Sequence, residues 1–282
     1  MSEVRTVMAV VPHYAAHKAA NVWLEACIAS LLAQTIRPAA ILVVDDQSSC
    51  PPDAVLERFP SVTLLRTSAN VGPFAILDGI HAWADADALM HQDSDDWSEP
   101  DRLQLTLEAM RHRRAELVGC QISTVVEDVA PGAARVTRFP QDPRAALLCQ
   151  PTLHSVFLSS ALVSCHLVRR LGGFASGMRF SGDSEFIRRA VFGGVAINVP
   201  ETAYVRRIHS GSLTRHPETG LGSPARLAVQ GVVQARARAL VADYVAGRPL
   251  DLQPLQKRPP IDFTHVLGPP PRWRPERQLM RA

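Results

Sequence analysis

The 282-residue chain has no CxxC pair and no Cys/His spacing typical of a metal site, and its cysteines number five, an odd count. A disulfide framework is therefore not expected, and the thiols fit a reducing compartment. No apolar run approaches the roughly 20 residues that a membrane-spanning helix needs. Arg5–Pro12 is too short for a signal peptide and lacks its cleavage pattern. Net charge is small, formally +3, and gives no reason to expect a nucleic-acid partner. There are no internal repeats. What these absences leave is a cytoplasmic globular protein, 46% hydrophobic and 20% charged, with enough apolar residues for a sizeable core.

The small net charge is unevenly spread. From Arg248 to Ala282 there are seven Lys or Arg against three acids, so this stretch carries +4 and residues 1–247 carry −1. Eight of the 22 prolines fall between Pro249 and Pro275. The segment reads as an extended tail, solvated or packed on its own domain, with peripheral membrane contact as the alternative.

Upstream, two periods alternate. Thr6–Val11, ended by Pro12, then Ile41–Val44, Val62–Leu65 and Ala88–Met90 are short continuous apolar runs, each read as a buried strand. Between them, Asn21–Gln34 has a helical pattern in Val22, Trp23, Ala26, Ile28, Leu31 and Leu32, and Phe74–Ala84 follows Pro73. Leu103, Leu107 and Met110 then share one helical face. This βαβ rhythm predicts an α/β fold, a Rossmann-like, mostly parallel central sheet with helices on both faces. Later segments are less regular. Leu117–Val126, Leu153–Ser159, Val195–Val199 and Ala203–Ile208 read as strands, Ala161–Leu171 and Ser184–Phe192 as helices, and Ala130–Pro143 and Ser210–Gly220 as loops. Ser223-Pro224 opens a long helix, Ala225–Val245, a possible dimerisation element. Three units follow: a domain over 1–220, with halves divided near residues 115 and 116, a helix over 221–247, and the tail over 248–282.

Ligands of such sheets bind beyond the carboxyl ends of the strands. Three of those ends are polar: Pro12-His13-Tyr14, Asp45-Asp46-Gln47-Ser48 and Asp93-Ser94-Asp95-Asp96. Several carboxylates on one tight turn repel each other unless a cation lies between them, and oxygen ligands select Mg²⁺ or Mn²⁺. The competing reading is that Asp95, Asp96 or Ser98 caps the helix near Pro100. Asp45 and Asp46 can accept hydrogen bonds from a base or ribose, or simply form a turn leaving the strand.

In order and spacing, VVPHY, VVDDQSS, TSANVGPFAILDGI, HQDSDDW, LGGFASGMRFSGDSEFIRRA and YVRRIHSGSLT resemble the family 2 glycosyltransferases of GT-A fold, over residues 5–215. The resemblance implies a metal-dependent, inverting transfer from a nucleotide diphosphate sugar, with UDP as the nucleotide. It assigns donor binding to Pro12, Tyr14, Asp45, Asp46, Asn70, Asp93 and Ser94. It gives Mn²⁺ or Mg²⁺ to Asp93, Asp95 and His209, with Asp95 the direct ligand, and makes Asp183 the catalytic base. Where the family pattern has Glu before that Asp, this sequence has Gly182. Glu185 is the fallback base, and it and Trp97 are candidate acceptor-side residues. Asp183 can alternatively cap its helix, and His209 can be a structural histidine. The Ser210–Gly220 loop is expected to fold over the donor. The acceptor stays open among glycans, lipid-linked intermediates, peptides and small molecules. Two other readings remain: a sugar nucleotidyltransferase, disfavoured by the lack of glycine in Pro12–Ala16, and a non-catalytic sugar-nucleotide-binding module.

Overall fold

The computed structural model describes residues 4–127, 134–211, 215 and 220–275. Most of the Ser210–Gly220 loop, part of the Ala130–Pro143 loop, and Arg277 and Arg281 lie outside the described residues.

The N-terminal half runs β1 (Val7–His13), α1 (Lys18–Leu32), β2 (Ala40–Asp45), α2 (Asp53–Leu56), β3 (Thr63–Arg66), α3 (Pro73–Trp83) and β4 (Ala88–His91). There follow β5 (Trp97–Ser98), α4 (Arg102–Arg113), β6 (Leu117–Val126), β7 (Arg135–Thr137), α5 (Pro143–Cys149), β8 (Leu162–Ser164), α6 (Cys165–Arg170), α7 (Gly182–Gly193), β9 (Ala196–Ile208), α8 (Pro224–Val245) and β10 (Thr264–Leu267). The strand order is β10-β3-β2-β1-β4-β8-β6-β9-β5, with β7 beside β6. β3, β2, β1 and β4 are mutually parallel, and β6 runs parallel to β9 over a long register.

The apolar runs lack polar alternation because both sheet faces are covered. Met8, Val10, Leu42 and Val44 enter the core shared with α3, α6 and α7. Val7, Ala9, Val11, Ile41 and Val43 point the other way, into the core with α1 and α4. Side chains alternate across a strand, so consecutive apolar residues are needed to serve two cores at once.

Several elements depart from expectation. Pro12 does not end β1. It sits opposite Val44, since proline removes one donor but tolerates the extended backbone. In α1 the buried face is Leu24, Cys27, Ile28 and Leu31, while Val22 is exposed. Residues 153–159 form no strand. The segment is irregular up to a 3-10 turn at Leu158–Ser160, and the Ser155 carbonyl accepts from the Asn198 side chain instead of a ladder partner. Ala161–Leu171 divides into β8 and α6 because Ser164 caps the helix at the Leu167 N–H. The strands expected on either side of Pro200 are one, β9, with register irregularities between Gly119 and Ile122 of β6.

The proline-rich segment is extended, as expected, but it is integrated into the sheet. β10 pairs antiparallel with β3, and Trp273 bridges to Ala84. Phe263 is buried against α3, where a Cβ on Gly79 would come within 2.8 Å of its ring. Ser223 caps α8 at the Arg226 N–H, with Pro224 in the first turn. No helix among the described residues is long and apolar enough to cross a membrane. All five cysteines are unpaired.

Candidate functional site

The adjacency of β2, β1 and β4 brings their three polar carboxyl ends together. The end of β4 is held from beneath by buried Arg102, which donates to the His91 carbonyl at 2.6 Å and to Gln92 Oε1 at 3.0 Å. Beyond it the chain turns, with the Asp96 N–H donating to the Asp93 carbonyl at 3.2 Å. Ser94 lies half-buried within this turn. One oxygen from each of Asp93, Asp95 and Asp96 lies within 4.8 Å of the others.

The three acids have separate surroundings. Asp96 is buried and accepts from the Tyr204 hydroxyl and the Arg207 N–H, both at 2.7 Å, so it ties the turn to β9. Asp93 accepts from the Ser159 hydroxyl at 2.7 Å. Its carboxyl is enclosed although the residue as a whole is half-buried. That enclosure, and then the charge of Asp95, push it up to about 6. Enclosure followed by the charges of Asp95 and Asp93 also raises Asp96 well above its ordinary value. Asp95 is half-buried, and His209 Nε2 lies 3.0 Å from its Oδ2. None of these acids caps α4, whose N-cap is Asp101 with no side-chain bond. Clustered carboxyls that resist ionisation, beside one imidazole, form a hard donor set that fits Mg²⁺ or Mn²⁺.

His209 rests on Trp23, with ring centroids 3.9 Å apart and 37° between planes. The indole N–H of Trp23 donates to Glu127 at 2.8 Å, and Arg207 donates to the same carboxylate at 3.0 Å and to the Asp95 carbonyl at 3.0 Å. The Arg207 guanidinium also covers Trp97, 5.0 Å from the ring centroid. Trp97 thus supports Arg207, and Arg207 supports the acid turn. Trp23 was not legible as a site residue, because an aromatic on an amphipathic helix reads as core.

At the end of β2 both acids are engaged by the protein. Asp45 is buried, with Arg66 Nε at 2.6 Å and the Ser48 N–H at 3.0 Å. Asp46 accepts from the N–H groups of Val71 and Gly72, each at 2.8 Å, and from the Thr67 hydroxyl at 3.1 Å. Asn70 donates to the Asp46 carbonyl at 3.1 Å. Gly72 has φ 87°, a conformation glycine takes without strain. Asp46 builds the turn at residues 70–72, while Asp45 holds Ser48 and Arg66. Pro12 is half-buried and Tyr14 is 48% exposed.

Asp183 is in the first turn of α7 but does not cap it, since the N-cap position belongs to Ser181. The carboxylate is half-buried and makes no hydrogen bond or ion pair among the described residues. Its field reaches Asp93, His154, Arg188 and Arg226. Glu185, expected as a fallback base or acceptor contact, is neither. It is buried, bonded at 2.9 and 2.7 Å to Arg189, and also accepts from the Leu255 N–H. Two residues along a helix turn the side chain to the opposite face, which is why Asp183 and Glu185 have different surroundings. Gly182 leaves no room for the glutamate of the motif, because a Cβ there would come within 2.6 Å of the Phe74 ring.

Residues 9–172 match the family described as Glycosyl transferase family 2. The fold is similar to that of S. aureus TarS 1–349 in complex with UDP-GlcNAc, with a TM-score of 0.63 at 14% identity, covering 86% of this chain and 72% of that one. Against the complex with UDP the TM-score is 0.57 at 13% identity, with coverage of 83% and 71%. Against TarS 1–349 alone it is 0.58 at 14% identity, covering 72% of this chain and 60% of that one. This chain spans 43% of the longer TarS chain. A search of curated protein sequences returns no match.

Proposed function

The chain belongs to glycosyl transferase family 2, and from that premise we propose that it moves a sugar from a UDP-sugar to an acceptor hydroxyl with inversion, dependent on Mn²⁺ or Mg²⁺. The observation that carries this reading is the acid turn with His209, together with a carboxylate, Asp183, that acts on Asp93 of that turn and makes no hydrogen bond or ion pair among the described residues. Asp95, Asp93 and His209 are the residues that would hold the cation. When bound there, it supplies Lewis-acid neutralisation of the leaving diphosphate.

The remaining roles belong to the chain's own groups. Pro12 and Tyr14 flank the base, and Asp46 with Asn70 holds the turn against which the nucleoside rests. Asp96, bonded to Tyr204 and Arg207, keeps Asp93 and Asp95 facing the donor. Asp183 takes the proton of the acceptor hydroxyl while that oxygen bonds to the anomeric carbon. The bond to the diphosphate oxygen breaks with its electron pair leaving on UDP. Attack from the face opposite the leaving group inverts the anomer. The loop over 210–220 would exclude water from the donor.

The test is transfer from a panel of labelled UDP-sugars, starting with UDP-GlcNAc because a TarS structure holds it. Asp183→Asn is expected to lower transfer by about 100-fold or more with donor binding retained. Near-normal transfer by that variant would exclude Asp183 as the base.

A further inference from the structure

The segment over 151–160 joins Asp183 to the acid turn. At one end Arg188 of α7 donates to the carbonyls of Pro151 and Thr152 at 3.2 and 3.0 Å, and to the Ser184 carbonyl at 2.6 Å. One guanidinium thus ties the segment to the residue that follows Asp183. At the other end the Ser159 hydroxyl donates to Asp93 at 2.7 Å. Between these anchors the Asn198 side chain donates to the Ser155 carbonyl at 2.8 Å. The backbone is therefore held on both sides of His154.

His154 is the one exposed residue of this segment. Its ring stands edge-on to Phe139 and Phe157, with centroids 5.9 and 6.4 Å away and interplanar angles of 65° and 71°. Phe157 packs in turn on Tyr204 at 5.7 Å, and Tyr204 bonds Asp96. These rings orient the imidazole without using its polar atoms. His154 makes no hydrogen bond or ion pair among the described residues. Although the residue is exposed, enclosure of its ring holds the imidazole below its ordinary value, ahead of the charges of Asp183 and Arg188 from α7 and Arg206 from β9. It is neutral at pH 7. A neutral imidazole offers one donor and one acceptor, which matches a hydroxyl group.

We infer, resting on the transfer reading above, that His154 is a further acceptor-binding residue: it holds a second hydroxyl of the acceptor while Asp183 deprotonates the first. The second contact fixes the direction of the attacking oxygen, which a single carboxylate leaves free to rotate. The acceptor therefore carries more than one hydroxyl. When protonated, His154 faces Asp183 as a cation and pairs with it, so the base is withdrawn at acidic pH.

The first measurement needs neither donor nor acceptor. Imidazole NMR on the full chain gives the pKa of His154, its signals assigned by their loss in His154→Asn. Asp183→Asn should lower that pKa, because a nearby carboxylate favours the imidazolium. An unchanged value overturns the inference. Glycerol and methyl glucoside are then compared with methanol, with UDP and Mg²⁺ present. The polyols should move the His154 signals and methanol should not. Equal responses, or none up to the molar range, also overturn it. With the active UDP-sugar and the polyol that accepts, His154→Ala should raise the acceptor KM about 3- to 10-fold, with a smaller change in kcat. His154→Asn should recover part of that loss and, having no titrating group, move the acid limb of kcat/KM to lower pH. An unchanged KM in the first variant, or an acid limb that stays in place in the second, counts against the assignment. UDP release from the donor by the parent chain without any acceptor reports the transfer reading separately, so failure of one is told from failure of the other.

Discussion

At the scale of single residues, the acid turn stores repulsion that a bound cation would relieve. Asp95→Ala should weaken Mn²⁺-dependent UDP binding at least about tenfold, measured by calorimetry with and without the metal. Unchanged binding would remove Asp95 from the cation site. The metal-free turn has a pH signature as well. Asp93 is raised from an ordinary value near 3.8 to about 6. Within that window the folded chain keeps a proton that the unfolded chain has released. Stability is therefore fully present below about pH 4 and falls as pH rises through about 6. Thermal melts in EDTA should show this decline, Asp93→Asn should flatten it, and Mn²⁺ should offset it at pH 7. The clustering of these acids was legible in the sequence because three carboxylates follow one strand end directly. Their division of labour was not. That Asp96 braces β9, and that Asp45 and Asp46 serve a turn, depends on partners over 20 to 110 positions away.

At the scale of elements, α7 presents Asp183 because of what packs beneath its first turn. Gly182 lets the Phe74 ring of α3 approach the helix backbone, and Ser181 reaches the N-cap with φ 58°. Gly182→Ala forces a methyl into that ring and should cost about 1–3 kcal/mol by overpacking, with transfer impaired beyond the change in denaturation midpoint. A variant as stable and active as the parent would show that Phe74 moves aside freely. The opposite faces taken by Asp183 and Glu185 follow from helical geometry, yet the sequence leaves open which of them is buried and paired. The ion pair with Arg189, from the next turn of the same helix, closes Glu185 inward. α1 teaches the same lesson: Trp23 fits an apolar stripe by spacing, but its indole reaches Glu127 and carries His209.

At the scale of the whole molecule, the C-terminal segment closes the sheet edge. Arg258 donates to the Val71 carbonyl at 2.8 Å, and Lys257 pairs with Asp78 at 2.7 Å, so this segment also braces the turn held by Asp46. Phe263→Ala should lower stability by about 3–5 kcal/mol, read from chemical denaturation, a loss too large for a solvated tail. A change within experimental error would mean that β10 docks without its anchor. The parallel order of β1, β2, β3 and β4 was legible because uninterrupted apolar runs are needed where two cores sandwich a strand. The family resemblance was legible because polar motifs recur where those runs stop. Pro-rich composition hid the fate of the tail, since proline density reports the missing backbone donors and says nothing of where Phe263 and Trp273 find partners. The sequence by itself thus determined the fold class and the chemical groups at the strand ends, through local periodicity and residue type. Only the tertiary structure decided which of those groups stay free for a ligand, because a carboxylate or guanidinium is committed by neighbours that the chain brings to it from far away.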